Sequence, residues 1–233
     1  DTQSTSDYFE FAINSTKETI QMCNDLIEQG KGIKVKIYGT LHYEYLSLTK
    51  LNYSIGKPIE EVKEAYIQSL QADLVKIPME KGDPDYAHDQ LNGYIGIFED
   101  YLEMLCLGIL LNVDRKLLQE YRVLLEEFRG KDLLLENIWS LFLSHPLEKN
   151  RTKLLYSKSY GKLLEVFGDD SSHEVEKLKA YSSEWMKTKR TSTWYGGLKL
   201  SKTGVNSAYK GYWNFEAAAI AALCGFTSTQ FNG

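Results

Sequence analysis

Apolar residues spaced alternately by three and four recur along almost the whole chain, and that period admits one kind of element. Leu91, Ile95, Phe98, Leu102, Leu105 and Ile109 repeat at four, three, four, three and four residues, as a face of a helix with about 3.6 residues per turn requires. Phe9, Ile13, Thr16, Ile20, Cys23 and Ile27 repeat the same rhythm up to Gly30. No segment shows the period-two alternation of a half-buried strand. The chain is therefore expected to be all-α, a bundle of about eight helices in two packed helical subdomains, 1–130 and 131–233.

Local punctuation sets the expected bounds. Tyr38, Leu41, Tyr45 and Leu48 mark a second helix, and Gly56-Lys57-Pro58 a turn whose proline suits a first helical position. Val62, Tyr66 and Leu70 mark a third, and Pro78, Gly82 and Pro84 make 77–85 a loop. Asp114 is placed to cap the helix after Leu91–Ile109, with Val113 and Leu118 as its staple, Leu117, Tyr121, Leu124 and Phe128 as its buried face and Gly130 as its C-cap. A helix over Asp132–Ser144 is stopped by His145-Pro146, and one over Thr152–Phe167 ends at Gly168. Ser171 and Glu174 make a capping box for a helix reaching about Arg190. The stretch 191–210, rich in Gly, Ser, Thr and Lys, reads as a long loop. Tyr212–Cys224, nearly all small and apolar, reads as a helix buried all round.

Composition narrows the class. The 233 residues are 43% hydrophobic and 25% charged, which is globular rather than disordered. No apolar run approaches the roughly 20 residues of a membrane span, so no membrane partner is expected. No signal-peptide pattern is visible, although a start at Asp1 leaves room for a removed leader. Cys23, Cys106 and Cys224 are far apart and outside any C-x-x-C pair, which favours reduced thiols and a cytoplasmic setting over disulfides or zinc. The net charge of -5 conceals an asymmetry: residues 1–130 hold 22 acids and 13 bases, residues 131–233 hold 10 and 14.

Catalytic signatures do not assemble. His42, His88, His145 and His173 offer no paired register for a metal. His88-Asp89 is similar to the metal dipeptide of HD-type phosphohydrolases, yet Asp89 at a helix start is accounted for by the helix dipole. S-x-x-K occurs four times and Lys202-Thr203-Gly204 once, without the S-D-N of penicilloyl-serine enzymes. Glu61-x-Lys63 matches a nuclease fragment that belongs on strands, and no phosphate-binding glycine loop or nucleophile elbow is present. The expectation is no catalytic residue, no metal and no cofactor.

Two binding features remain. Residues 58–127 hold 15 acids against 6 bases, including Asp85, Asp89, Glu99, Asp100 and Glu103. Such a face is either a solvated helix surface or a lure for a basic partner. Lys177 to Lys202 holds seven bases and one acid, interleaved with Trp185, Trp194 and Tyr195. That pattern is the alternative reading, a helical protein binding single-stranded nucleic acid, against which the net negative charge counts.

The most distinctive stretch is Tyr209-Lys210-Gly211-Tyr212-Trp213-Asn214-Phe215-Glu216-Ala217-Ala218-Ala219. Its aromatic residues followed by alanines suit rings packed over a close helix crossing, and Glu216, if buried, needs a partner. Preceded by Trp194-Tyr195, this G-Y-W-x-F-E-A-A-A motif resembles the C-terminal domain of PoNi-type immunity proteins. Tyr101-Leu102-Glu103-Met104-Leu105, Lys131-Asp132-Leu133-Leu134 and Gly161-Lys162-Leu163-Leu164-Glu165-Val166 agree with that family more loosely.

The resemblance implies an all-α, non-catalytic protein that binds a PoNe toxin, a bacterial polymorphic nuclease, and occludes its active site. On this reading Trp194, Tyr195, Tyr209, Gly211, Tyr212, Trp213, Phe215 and Glu216 are structural. Asp85, Asp89, Glu99, Asp100 and Glu103 would face the basic groove with which a nuclease grips phosphates. The expected partner is the toxin, not a membrane or nucleic acid, and the long apolar helices also permit a homodimer.

Overall fold

The computed structural model describes residues 2–82, 91–146, 152–168, 173–192, 195 and 210–231. Among them there is no strand, and the protein is all-α. The chain forms two compact units, one of residues 1–87 with 196–212, the other of 88–195 with 213–233. No described helix is long and apolar enough to cross a membrane.

The first unit contains α1 (Thr2–Glu28), α2 (Lys34–Ser54) and α3 (Ile59–Glu80). Ile13, Ile20 and Cys23 of α1 meet Ile37, Leu41, Leu48 and Leu51 of α2, with Ala65 and Ala72 of α3 completing the core. The apolar stripe of α1 is half-buried at Phe9, buried from Ile13 to Cys23, and runs out into solvent at Ile27. Gly30 and Gly56 both have positive φ, which lets Lys31 N–H reach the Leu26 carbonyl and Lys57 N–H the Asn52 carbonyl, closing α1 and α2. On α2, Ser54 Oγ donates to the Lys210 carbonyl at 2.9 Å and Ser47 Oγ accepts from Lys210 Nζ, so the later chain returns to this helix.

The second unit is built from α4 (Ile95–Leu110), α5 (Arg115–Arg129), α6 (Leu133–Leu143), α7 (Ser157–Leu164), α8 (Glu174–Thr188), α9 (Phe215–Leu223) and α10 (Ser228–Phe231). Single 3-10 turns, Glu165–Phe167 and Lys189–Thr191, extend α7 and α8. Helix α4 lies at the centre: Phe98, Met104, Leu105 and Cys106 are fully buried, and α9 packs along it. Trp139 Nε1 donates to Tyr101 Oη at 2.9 Å, joining α6 to α4. Asp114 accepts from Lys116 N and Leu117 N, as its capping position demands. Asp132 caps α6 through Leu134 N at 2.7 Å, and its other oxygen takes Leu155 N at 2.7 Å, pinning the segment before α7.

Several local expectations are revised. Helix α3 runs through Pro78 to Glu80 instead of yielding to a loop at 77; only two residues follow the proline, and Ile77 and the Lys76–Glu80 pair stay buried. Helix α4 starts at Ile95, and Leu91, buried, lies in the preceding turn with its N–H on the Arg129 carbonyl. Helix α5 buries Leu118, Tyr121 and Leu125, one position round from the expected Leu117 and Leu124. Helix α7 begins at Ser157, not Thr152. Ala218 and Ala222 of α9 face solvent, so that helix is not buried all round. The side chain of Phe128, Ser171 of the capping box, His88 and most of the loop 191–210 lie outside the described residues.

Candidate functional site

The chemistry of the C-terminal motif converges on Glu216. Asn214 caps α9, its Oδ1 accepting from Ala217 N at 3.1 Å, which sets Glu216 in the first turn facing inward. Glu216 Oε1 accepts from Tyr181 Oη at 2.8 Å, Trp185 Nε1 at 2.8 Å and Lys189 Nζ at 2.9 Å. These three donors stand four residues apart, on one stripe of α8 and the turn that continues it.

A second carboxylate shares the cation. Lys189 Nζ lies 3.8 Å from Glu99 Oε1 on α4 and donates to Tyr160 Oη of α7 at 2.5 Å. Glu99 Oε1 accepts from Ser192 Oγ at 2.6 Å and from Tyr160 Oη at 3.3 Å. Glu99 Oε2 is buried with no hydrogen-bond partner among the described residues. The Lys189, Glu216 and Glu99 side chains are 4%, 9% and 11% exposed, so the cluster is sealed from solvent.

Two carboxylates and one ammonium in a dry site cannot both be fully ionised without cost. Burial pushes the Glu99 carboxyl up, with Lys189 and Ser192 opposing, and the Glu216 charge raises it further. Burial acts on Glu216 the same way, but Lys189 and the converging donors outweigh it and hold this carboxyl below its ordinary range. Burial, reinforced by the Glu216 charge, drives the Tyr160 and Tyr181 phenols well up. Glu216 is thus the counterion of Lys189, and Glu99 the partly surplus acid. Sealed in this way, the cluster ties α4, α7, α8 and α9 together.

The residues expected at a toxin-facing surface are spread over different environments. Glu99 is turned into the network just described. Asp100 and Glu103, also on α4, are half-buried. Asp85 and Asp89 lie outside the described residues. In the motif, Phe215 and Glu216 are buried, Gly211 and Tyr212 half-buried, and Tyr195 and Trp213 exposed, Trp213 stacking on Phe215 at 6.5 Å. Trp194 and Tyr209 lie outside the described residues. In the basic segment, Trp185 and Lys189 point inward while Lys187 and Arg190 are exposed.

Sequence reasoning named Glu216 and its need for a partner but missed Tyr160, Tyr181 and Ser192, and read Lys189 as a surface cation. The available signal was the Tyr181, Trp185, Lys189 spacing, three donors in line on one helix face. The fate of His42 is also structural: it is buried, with Nδ1 3.2 Å from the Ser69 carbonyl and its own carbonyl accepting from Ser69 Oγ. Among the described residues no three His, Cys, Asp or Glu side chains group as metal ligands would.

Comparison with known proteins gives three results. Residues 4–122 match the model for the N-terminal part of the PoNe immunity proteins (PoNi), and residues 130–233 match the model for their C-terminal part. A search of curated proteins finds no match. Among solved structures, protein PA2201 from Pseudomonas aeruginosa is similar in fold, with a TM-score of 0.63 and 15% identity over 94% of this chain and 82% of that one.

Proposed function

The chain belongs to the PoNe immunity protein (PoNi) family, and on that footing we propose that it binds a cognate PoNe nuclease toxin and inhibits it by covering the surface with which the toxin grips DNA. The observation that carries this reading is the family match at both ends of the chain. An immunity protein works by occupying its target, not by turning over a substrate. The sealed cluster around Glu216 agrees with that role, because its ionisable groups are spent on holding helices together. It acts in the cytoplasm, where an incoming nuclease meets DNA.

A nuclease surface is basic because phosphate contacts dominate its affinity. Asp100 and Glu103 are the acids of α4 that remain candidates for the toxin-facing surface, with Asp85 and Asp89 upstream of it. Glu99 acts from within, as a positioning residue for α4. The test is co-expression with the PoNe toxin encoded beside this gene. Growth should be rescued and the two proteins should co-purify; cells that die as fast with the protein as without it would refute the reading.

A further inference from the structure

The first unit carries an open trough that the sealed cluster of the second does not explain. Helices α1 and α3 both pack principally on α2, so they stand as walls over it and leave a cavity of about 610 Å³ between them. Its floor is one stripe of α2, Tyr45, Leu48 and Asn52, continued by Ile55 just past the helix end, at spacings of three, four and three. Phe9 and Ile13 of α1 and Ala65 of α3 supply the apolar part of the walls. Among the described residues of the later chain, Lys210 meets α2 on a different face. Ser47 and Ser54, which hold Lys210, lie on average roughly 130° round α2 from the floor stripe, taking about 100° per residue.

We infer that this trough receives a basic helix of the toxin, an inference that rests on the immunity reading above. Three helices of this unit are described, two standing as walls over the third, and the element such walls would take is a further helix, about 10 Å across. Glu10 on one wall and Glu61 and Glu64 on the other form the rim, against Lys17 and Lys57. Lys57 and Glu61 pair with each other at 3.8 Å, which leaves Glu10 and Glu64 against Lys17. Helix α1 as a whole has five acids and one lysine. A second copy of this chain inserting its own α1 would bring that helix's acids against Glu61 and Glu64, a like-charge contact. A DNA-cleaving protein necessarily presents cations. Apolar side chains of the incoming helix would settle on Leu48 and Ile55, and its Lys or Arg would reach the rim.

The test uses the full-length protein and its cognate PoNe toxin inactivated at the catalytic site, with affinity measured by titration calorimetry at two salt concentrations. Glu61→Lys with Glu64→Lys, and separately Gln68→Trp, which fills the trough from an exposed position, should each weaken binding roughly tenfold or more. The charge reversal should also flatten the salt dependence. Asp25→Lys with Glu28→Lys, on α1 beyond the trough, should leave affinity within about twofold. Thermal melts confirm that every variant is folded. Trough variants that bind like the wild type overturn the inference and leave the immunity reading standing. A wild-type protein that does not bind the toxin at all overturns both. Self-association abolished by Gln68→Trp would assign the trough to a second copy and overturn it as well.

Discussion

At the scale of single residues, Lys189 has one close counterion and one in reserve. Glu216 lies 2.9 Å from its ammonium and Glu99 3.8 Å. Removing one member of a buried pair usually costs about 3–5 kcal/mol because the remaining charge is stranded. Here the reserve acid moderates that cost. Glu99→Gln should cost less than about 1 kcal/mol and Glu216→Gln about 2–3, while the double substitution should exceed their sum by roughly 1–2 kcal/mol. Urea denaturation of the three variants measures this, and strict additivity would show that Glu99 does not take over. The same pair fixes a pH dependence. A carboxyl raised in the folded protein binds its proton more tightly there than in the unfolded chain, so its contribution falls as pH rises above the ordinary 4.5 through the folded value. Glu216, lowered, contributes stability that is present above 4.5 and is lost as pH falls through its folded value. Between pH 5 and pH 8 the wild type should therefore lose more stability than Glu99→Gln. Parallel curves for the two proteins would contradict the assignment.

At the scale of elements, what was legible in the sequence is what local chemistry decides. Asp114 and Asp132 cap the helices they precede, and Gly30, Gly56 and Gly130 stand where chains leave α1, α2 and α5. Helix α5 shows where legibility ends. Adjacent leucines at 117/118 and 124/125 complete an equally good stripe in either register, and only the partners in the second unit select Leu118 and Leu125. The site divides in the same way. The need of Glu216 for a partner could be read locally, but Tyr181, Trp185 and Lys189 lie about thirty residues upstream and meet it only through folding. Two described helix ends carry a residue with a Cβ where glycine is usual, Asn112 after α4 at φ 48 and Ser144 after α6. Ser144 closes α6 at φ 56, ψ 39, where His145 N–H bonds the Ser140 carbonyl. The left-handed region costs a residue with a Cβ about 1–2 kcal/mol, partly offset by the greater freedom glycine has when unfolded. Ser144→Gly should stabilise the protein by roughly 0.5–1 kcal/mol in chemical denaturation; a destabilised variant would mean that the Ser144 side chain contributes to the native fold.

At the scale of the molecule, the charge asymmetry of the sequence halves does not survive folding into units. The first unit holds 14 acids and 12 bases and the second 18 and 15, because 88–130 folds with the C-terminal elements and 196–212 with the N-terminal ones. Recognition by charge must then be a property of particular faces, such as the rim of the trough, not of one half of the chain. The same interleaving predicts how the protein responds to division at residue 130. Helix α4 buries residues on nearly every side, with Phe98, Tyr101, Leu102, Met104, Leu105, Cys106 and Leu107 all at or below 3% exposure. Its cover includes α9 and, through the Tyr101–Trp139 bond, α6, and both lie beyond the cut. A fragment of residues 1–130 would keep α1, α2 and α3 but expose much of α4, at about 25 cal/mol for each Å² of apolar surface returned to water. It would also lose the Lys210 contact on α2. Expressed alone, this fragment should associate or aggregate in size-exclusion chromatography and melt without a cooperative transition. Co-expression with 131–233 should restore a soluble, cooperatively folding complex. A monomeric, cooperatively melting 1–130 would place the division of the molecule at 130 and not where its helices pack.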